Sequence, residues 1–434
     1  MIANGTESFF AGHELRELTF GWTDYILFGG LLGISVLIGI YFGFFSTKQD
    51  NTTEYLLGGK TMSFLPISMS LIASHISGVS LLGVPSEVYQ YGTQYAACIF
   101  TSFISCFLII FLYLPVFYKL QLKSTFEYLE IRFARPVRIL ASFLYTLSLI
   151  VYVPLIIYVP ALAFSQATGM NLYYVAPVIC LVCIFYTTIV VARSDKILPY
   201  YVLDVAADVP GLPGLFLAGL VSAGLSTMSA GLNTVAGTIY EDFIDRWMPE
   251  SNDKETKAAN VMKVTVVILG ILCVGMVFLV DRLGDIFQLS LTVTGITAGA
   301  MLGLFSLGML VPWATTKGAV VGGLMSMVTM IWIIVGAQWH MVNRRLYYEP
   351  LPSTTDGCLN MPGLLNRTVT TTQNLVQVES VEDEPFFMYR ISFMYYTLLG
   401  ALIVIVIGTI VSFVCGAPDL SDVNRDHFAP FITR

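Results

Sequence analysis

Charged residues are scarce in this chain. Only 12% of its 434 residues are Asp, Glu, Lys or Arg, whereas 56% are hydrophobic, and the mean hydropathy is +0.75. A soluble globular protein carries about 25% charged residues. The composition therefore excludes an ordinary soluble protein and indicates a chain that crosses a membrane several times. No cluster of basic residues suggests nucleic acid, so membrane lipid is the expected partner of most of the surface.

Side chains that bind transition metals or perform catalysis are also sparse. The four histidines are scattered and lack the spacing of metal ligands. Cys180 and Cys183 lie inside an apolar run, where cysteine packs as a small hydrophobic residue, so we assign them to packing rather than to redox or zinc chemistry. The apolar runs contain no nucleophile with a base, no paired carboxylates and no phosphate-binding loop. We therefore expect that the protein is not an enzyme.

Long charge-free runs predict the membrane spans. The first, residues 25–47, is too long for the apolar core of a signal peptide, so we expect a retained span. The run 139–192 contains a polar turn at 166–171 and should form two helices. Together the runs predict about ten helices, and no alternating pattern indicates a barrel. They lie near residues 25–47, 61–86, 88–118, 139–192, 209–240, 264–280, 286–316, 318–338 and 391–418.

The loop after the third run predicts the orientation in the membrane. It is rich in basic residues, and basic loops stay in the cytoplasm. Counting back from it puts the N-terminus outside, in agreement with a glycosylation sequon at Asn4. The longest loop, residues 339–390, holds a second sequon at Asn366 and is expected to be extracellular. The basic residues of the cytoplasmic loop are Lys119, Lys123, Arg132, Arg135 and Arg138.

Two predicted helices carry polar residues at the middle of the membrane. In residues 212–242, small residues and hydroxyls replace the usual Leu, Ile and Val, with Ser226 and Thr227 side by side. Close helix packing explains small residues, whereas a path for an ion or a solute explains the oxygens as well. The second helix is interrupted by Ser74, His75, Ser77, Gly78 and Ser80.

The interruption has two explanations. The hydroxyls could bond back to their own turn of a continuous helix. Alternatively the helix is broken, and a break at this depth exposes backbone carbonyls that can coordinate sodium. A hard cation needs several oxygens, more than one helix supplies. Polar residues on two helices therefore favour transport over packing.

The motifs Gly83-Val-Pro-Ser-Glu87 and Pro210-Gly-Leu-Pro-Gly214 adjoin these two segments. They resemble the sodium–solute symporter family, and most closely its monocarboxylate, multivitamin and iodide branch; the resemblance covers nearly the whole chain. It implies an all-α polytopic membrane protein with a LeuT-like inverted-repeat fold. The implied function is sodium-coupled secondary active symport of a small organic solute, a monocarboxylate or related anion, by alternating access at a midplane site in the plasma membrane.

The resemblance also implies a sodium site. By position, the backbone carbonyls of Ala73, Ile76 and Ala223 would bind the ion, and the hydroxyls of Ser226 and Thr227 would complete its coordination. Sodium is the only metal that the family pattern implies.

Three further residues correspond to the substrate cavity of the family. Ser80 occupies a position where relatives carry a glutamine that faces the cavity, and its shorter side chain leaves the solute open. Tyr152 would line the cavity or pack between helices. His75 would serve either as a packing residue or as a proton relay.

The resemblance has a gap after the fourth core helix. The family's Tyr-Thr-x-x-Gly-Gly pattern, which opens the fifth helix, is represented by Tyr186-Thr-Thr-Ile-Val-Val191, without the glycines. Residues 193–208 instead resemble the segment before the eighth core helix. Core helices five to seven are therefore expected to be absent, through a skipped exon block or an error of gene modelling, and the fold is expected to be incomplete.

The predicted organisation follows from that gap. It comprises an extracellular N-terminus (1–24), a first membrane half with an extra helix and core helices one to four (25–192), a junction (193–211), a second membrane half (212–338), an extracellular loop (339–390), a last transmembrane helix (391–418) and a cytoplasmic tail (419–434).

If three helices are absent, the membrane orientation of the spans after Ala192 has two alternatives, and so does the function of the chain. Simple alternation would reverse every span after Ala192 and put Asn366 in the cytoplasm; otherwise the downstream half keeps the family orientation, which the basic loop after the eighth core helix favours. The function is either symport or, in a transport-inactive variant, association with a full-length relative. The chain would either reach the plasma membrane or be held in the endoplasmic reticulum.

Overall fold

The structure is a computed structural model that describes residues 21–44, 63–122, 124–189, 212–248, 254–280, 286–343, 345–346, 385–416, 425–430 and 432. These residues form helices and turns without any strand. Seven helical stretches within these ranges are long and apolar enough to cross a membrane, and the first of them, Gly78–Leu120, contains several shorter helices. The predicted all-α membrane class is confirmed.

Each of the ten predicted helices has a helical counterpart. The predicted helix 61–86 is broken in two, and short 3-10 and π turns (Gly92–Ala96 and Ile109–Tyr113) interrupt the next stretch. The helices are α1 (Trp22–Phe44), α2 (Phe64–His75), α3 (Gly78–Tyr91), α4 (Ala97–Leu108), α5 (Leu114–Leu120), α6 (Glu127–Arg132), α7 (Arg135–Thr168), α8 (Leu172–Ile189), α9 (Leu212–Ile239), α10 (Lys254–Val280), α11 (Ile286–Leu310), α12 (Thr316–Val342) and α13 (Tyr396–Val414).

The chain divides into two compact units. Unit 1 consists of Met1–Leu81 and Leu149–Ile286, and unit 2 consists of Leu82–Ser148 and Phe287–Arg434. Each unit therefore combines helices from both predicted membrane halves. The residues implied in sodium binding all belong to unit 1.

In unit 1, α1 and α9 begin at the same end. Asp24, in the first turn of α1, accepts a hydrogen bond at 2.9 Å from the N–H group of Gly214, in the first turn of α9. The approach is close, because a methyl group added at Gly214 would lie 2.5 Å from Asp24 Cα. Only glycine allows the two backbones to meet at this point.

Helix α7 runs antiparallel to α9 in the same unit. A methyl group added at Gly224 would lie 2.6 Å from Pro160 Cγ, and one added at Gly231 would lie 3.2 Å from Val153 Cγ2. Residue numbers thus fall along α7 as they rise along α9. These glycines again mark the points of closest helix contact.

Helices α8 and α10 are antiparallel as well. The rings of Tyr173 and Phe278 lie 5.5 Å apart, and Cys180 Sγ donates to the carbonyl of Gly270 at 3.4 Å. Helix α10 starts where α9 finishes, since Lys254 pairs with Asp245 at 3.2 Å. Consequently α8 and α9 run in the same direction, and the end of α8 lies at the opposite end of unit 1 from the start of α9.

In unit 2, the buried side chain of Arg132 caps the end of α11. Its guanidinium donates hydrogen bonds of 3.0 Å to the carbonyls of Gly308, Val311 and Pro312. A cation at this position also complements the negative end of the helix dipole. The basic loop that contains α6 therefore lies at the end of unit 2 where α11 ends and α12 begins.

The C-terminal residues 425–430 pack on the same end of unit 2. Lys119 pairs with Asp426 at 2.5 Å, and Tyr128 donates to the carbonyl of His427 at 2.9 Å. The Arg132 guanidinium carbon lies 4.9 Å from the ring centre of Phe428. The basic loop and the C-terminal segment therefore share one side of the membrane.

Candidate functional site

The predicted interruption of the second span is a break in the helix. Helix α2 ends at His75, and Ile76 adopts an extended conformation with φ −77° and ψ 105°. Helix α3 starts at Gly78. Ser77, between the two, is only 4% exposed. The break is therefore buried, as an ion site within a membrane requires.

The break frees the two carbonyls that the family resemblance implies in sodium binding. In a continuous helix, the N–H groups of Ser77 and Ser80 would bond to the carbonyls of Ala73 and Ile76, four residues earlier. Instead the Ser77 N–H bonds to Ser80 Oγ at 3.1 Å, and the Ser80 N–H bonds to Ser77 Oγ at 3.4 Å. Both carbonyls lose their helical donors.

Helix α9 supplies the other predicted ligands on one face. Ala223, Ser226 and Thr227 are separated by three and four residues, the spacing of neighbours on a helix surface. Thr227 Oγ1 donates to the carbonyl of Ala223 at 3.0 Å, so these two groups form one unit. Ser226 Oγ is buried and has no hydrogen-bond partner among the described residues. A buried hydroxyl without a partner suits a cation ligand.

Pro160 of α7 links the helix break to this face of α9. A methyl group added at Gly78 would lie 3.3 Å from Pro160 Cδ, and Gly224 approaches the same ring, next to Ala223. Helix α2 itself packs against α9. The structure thus brings the two groups of predicted sodium ligands to neighbouring elements within unit 1.

The three predicted cavity residues are placed differently. The Ser80 hydroxyl bonds to the backbone of Ser77 twice, since it accepts from the Ser77 N–H and donates to the Ser77 carbonyl at 2.8 Å. His75 is the last residue of α2 and is exposed. Tyr152 is half-buried and lies two turns along α7 from Pro160, next to the Val153 contact with α9. No hydrogen bond joins these three side chains to one another among the described residues, and their role in the cavity stays a prediction.

Sequence reasoning did not identify the pairing of Ser77 with Ser80 or the contact of Asp24 with α9. A partial signal exists for the first, since Ser77 matches the serine of a capping box, while Ser80 takes the place of its usual Glu or Gln. The second joins residues 190 apart in sequence, and no local pattern predicts it. The glycosylation sequons at Asn4 and Asn366 lie outside the described residues.

Comparisons with known proteins identify the family of the chain. The model of the sodium:solute symporter family matches residues 55–192 and 190–326. The Homo sapiens sodium-coupled monocarboxylate transporter 1 is 28% identical, over 92% of this chain and 88% of the relative. The Oryctolagus cuniculus sodium-dependent multivitamin transporter is 26% identical, over 92% and 83%. These relatives are sodium-coupled transporters rather than enzymes, as predicted for this chain.

A solved structure shares the fold. A Na+-coupled sialic acid symporter, in a substrate-bound outward-open state, superposes with a TM-score of 0.66 at 17% identity, covering 92% of this chain and 98% of that chain. The LeuT-like fold is thereby confirmed, and the family's coupling ion is sodium. The family match and the candidate membrane spans of the described residues agree with the predicted location, a multi-pass protein of the plasma membrane. The chain belongs to the sodium:solute symporter family.

Proposed function

We propose that this chain is a sodium-coupled symporter of a small organic anion, a monocarboxylate or related solute, which works by alternating access around a midplane site. The observation that carries the proposal is the set of oxygens at the helix break. The carbonyls of Ala73 and Ile76 lack their helical donors, and the neighbouring helix α9 contributes the hydroxyl of Ser226, which has no hydrogen-bond partner in the described part of the chain. With the Ala223 carbonyl and Thr227 hydroxyl, these groups suit a hard cation.

The same break supports an anionic solute. The C-terminal end of α2 carries the negative end of its helix dipole, which favours a cation, whereas the N-terminal end of α3 carries the positive end. Discontinuous helices of transporters use these two ends for the coupling ion and for an anionic group of the substrate. The monocarboxylate and multivitamin relatives suggest a carboxylate as that group.

The proposal includes the family orientation for the second half of the chain. In unit 2, Arg132 of the basic loop bonds to the end of α11, so a cytoplasmic basic loop puts the connection between α11 and α12 in the cytoplasm as well. Helix α12 then leads outward, and Asn366 is extracellular. In unit 1, α1 and α9 begin at the same end, which an outside N-terminus makes the extracellular end.

A second candidate function rests on the gap. The two pieces of the family-model match meet at residues 190–192. The alignment with the human relative runs over 546 positions, more than the 434 residues of this chain, so over a hundred positions have no counterpart here. This supports the loss of core helices five to seven, which would leave the sodium ligands in an open scaffold. Such a chain would act, without transport, by associating with a full-length relative.

Uptake measurements separate the two candidates. In cells that express the chain, we expect uptake of small monocarboxylates that is lost when choline replaces sodium and strongly reduced by Ser226→Ala. Uptake that persists unchanged in choline would contradict symport. If uptake is absent while sodium still stabilises the purified chain, the second candidate gains support. Co-expression that leaves the transport rate and surface amount of a full-length relative unchanged would then exclude it.

A further inference from the structure

Ser77 and Ser80 exchange hydrogen bonds across the start of α3. Ser80 Oγ accepts from the Ser77 N–H at 3.1 Å and donates to the Ser77 carbonyl at 2.8 Å, while Ser77 Oγ accepts from the Ser80 N–H at 3.4 Å. This is the reciprocal arrangement of a capping box, with a serine in the place of the usual Glu or Gln. Each hydroxyl therefore satisfies a backbone donor of the other residue.

We propose that this pair holds the helix open at the sodium site, and that Ser80 is a positioning residue rather than a group that contacts the solute. The inference rests on the proposed sodium site. The two donors that the pair occupies are those that would otherwise bond to Ala73 and Ile76. Capping by these two serines thus frees both carbonyls in one step.

The N–H groups at the start of α3 are buried, so the hydroxyls of Ser77 and Ser80 are the acceptors available to them. Ser77 is 4% exposed, and Gly78 and Val79 beside it are buried, so water has little access to the donors at the start of α3. Gly78 lies against Pro160 and Val159 of α7, which fixes the position where α3 begins. Without the two hydroxyls, the buried N–H groups would bond to the carbonyls of Ala73 and Ile76, since an unpaired buried donor is costly.

If Ser77 and Ser80 hold the break open together, the effects of their substitutions on sodium affinity should not be independent. Loss of either hydroxyl should weaken sodium binding about fivefold, the factor that corresponds to one typical N-cap. Because the two residues act as one device, Ser77→Ala with Ser80→Ala should weaken binding little more than either change alone. If Ser80 instead contacted the ion or the solute directly, the two effects would multiply.

The experiment titrates the purified full-length chain with sodium and uses the temperature of thermal unfolding as the readout of binding. Choline chloride keeps the ionic strength constant. Ser80→Thr, which keeps the hydroxyl, should bind sodium within about twofold of the unmodified chain, whereas Ser80→Val, of the same shape, should show the full loss. Ser86→Ala is the matched control, because Ser86 is an exposed hydroxyl on the same helix. An unchanged sodium half-saturation in Ser77→Ala would overturn the proposal, as would multiplying effects in the double variant.

Hydrogen exchange tests the cap without sodium. In choline alone, the amides of residues 77–80 should exchange at different rates in Ser80→Val and in Ser80→Thr, because only threonine keeps the hydroxyl that accepts from the Ser77 N–H, and equal rates would overturn the cap. A chain whose unfolding temperature does not respond to sodium at all would contradict the proposed function. The exchange comparison would still decide whether the two serines hold the break.

Discussion

Ser226 Oγ is one of few buried side-chain oxygens that lack a partner among the described residues. An unpaired buried hydroxyl costs about 1–3 kcal/mol. We therefore expect Ser226→Ala to leave the free energy of unfolding unchanged or raise it by about 1 kcal/mol without sodium. The same change should abolish most of the additional stability that sodium gives. Denaturant unfolding in detergent, with and without sodium, measures both quantities.

Ser412 provides the matched control for Ser226. It is fully buried, donates to the carbonyl of Gly408 at 2.7 Å and accepts from the Thr315 N–H at 2.9 Å. Ser412→Ala should therefore lower the free energy of unfolding by about 1–3 kcal/mol and keep the sodium effect. If Ser226→Ala behaved like Ser412→Ala, Ser226 would be a structural hydroxyl and not a sodium ligand.

His427 makes the packing of the C-terminal segment dependent on pH. Burial and the nearby Arg132 lower the pKa of His427 from 6.5, and Asp426 offsets this only in part. A released segment takes up a proton near pH 6.5, whereas the packed segment resists protonation until a lower pH. Packing is therefore fully favourable above pH 6.5 and weakens as the pH falls through that value.

The accessibility of a cysteine placed at Phe428 measures this release. Because the thiolate is the reactive form of cysteine, the labelling rate is divided by that of a fully exposed cysteine at the same pH. This relative rate should be low at pH 8 and rise as the pH falls from 7 towards 5, because the packed segment binds fewer protons than the released one. His427→Gln should remove the pH dependence. Labelling that is independent of pH in the chain with His427 would show that the histidine does not control packing.

At the scale of elements, Asp24 connects α1 to the helix that carries the predicted sodium ligands. Its carboxylate accepts from Gly214 at the start of α9 and from Gly21 of its own turn, each at 2.9 Å. A carboxylate at this place satisfies a free N–H group and complements the positive end of the α9 dipole. Helix α1 thereby supports α9.

Asp24→Ala should lower the free energy of unfolding by about 1–2 kcal/mol, because it removes an N-cap from a buried helix start. Asp24→Asn, which keeps an acceptor oxygen for Gly214, should lose less. Thr23→Ala is the control, since Thr23 is exposed in the same turn. Equal stability of Asp24→Ala and Thr23→Ala in denaturant titrations would show that the contact contributes nothing to α9.

The elements themselves were largely predictable from the sequence. Charge-free runs identified the ten helices, and the polar cluster around Ser77 marked the break, because both signals are local in the chain. The partners of Ser80 and Asp24 were not predictable in this way. A serine at a helix break can face a cavity or cap a helix, and the backbone conformation at Ile76 decides between them. The bond from Asp24 to Gly214 depends on tertiary packing alone.

At the scale of the whole molecule, the direction of the helices is the central question. Helices α8 and α9 run in the same direction within unit 1, so the end of α8 and the start of α9 lie at opposite ends of that unit. In the sequence between them, residues 190–211 include Arg193, Asp195, Lys196, Asp204 and Asp208. A charged residue at the centre of a membrane helix costs about 2.5–3.5 kcal/mol by insertion scales, so the sequence of residues 190–211 does not predict a membrane helix. An alternating count of spans cannot anticipate this arrangement, because it assumes that every successive helix reverses direction.

Glycosylation of Asn366 tests the family orientation of the second half most directly. The chain, expressed in cells, should show a glycosidase-sensitive gel shift that decreases in Asn366→Gln, with Asn4→Gln as the control for the N-terminal sequon. This result would place the loop outside and keep α9 in the orientation of the symporters. Glycosylation at Asn4 but not at Asn366 would mean that the second half is inverted, and it would contradict the proposed sodium site.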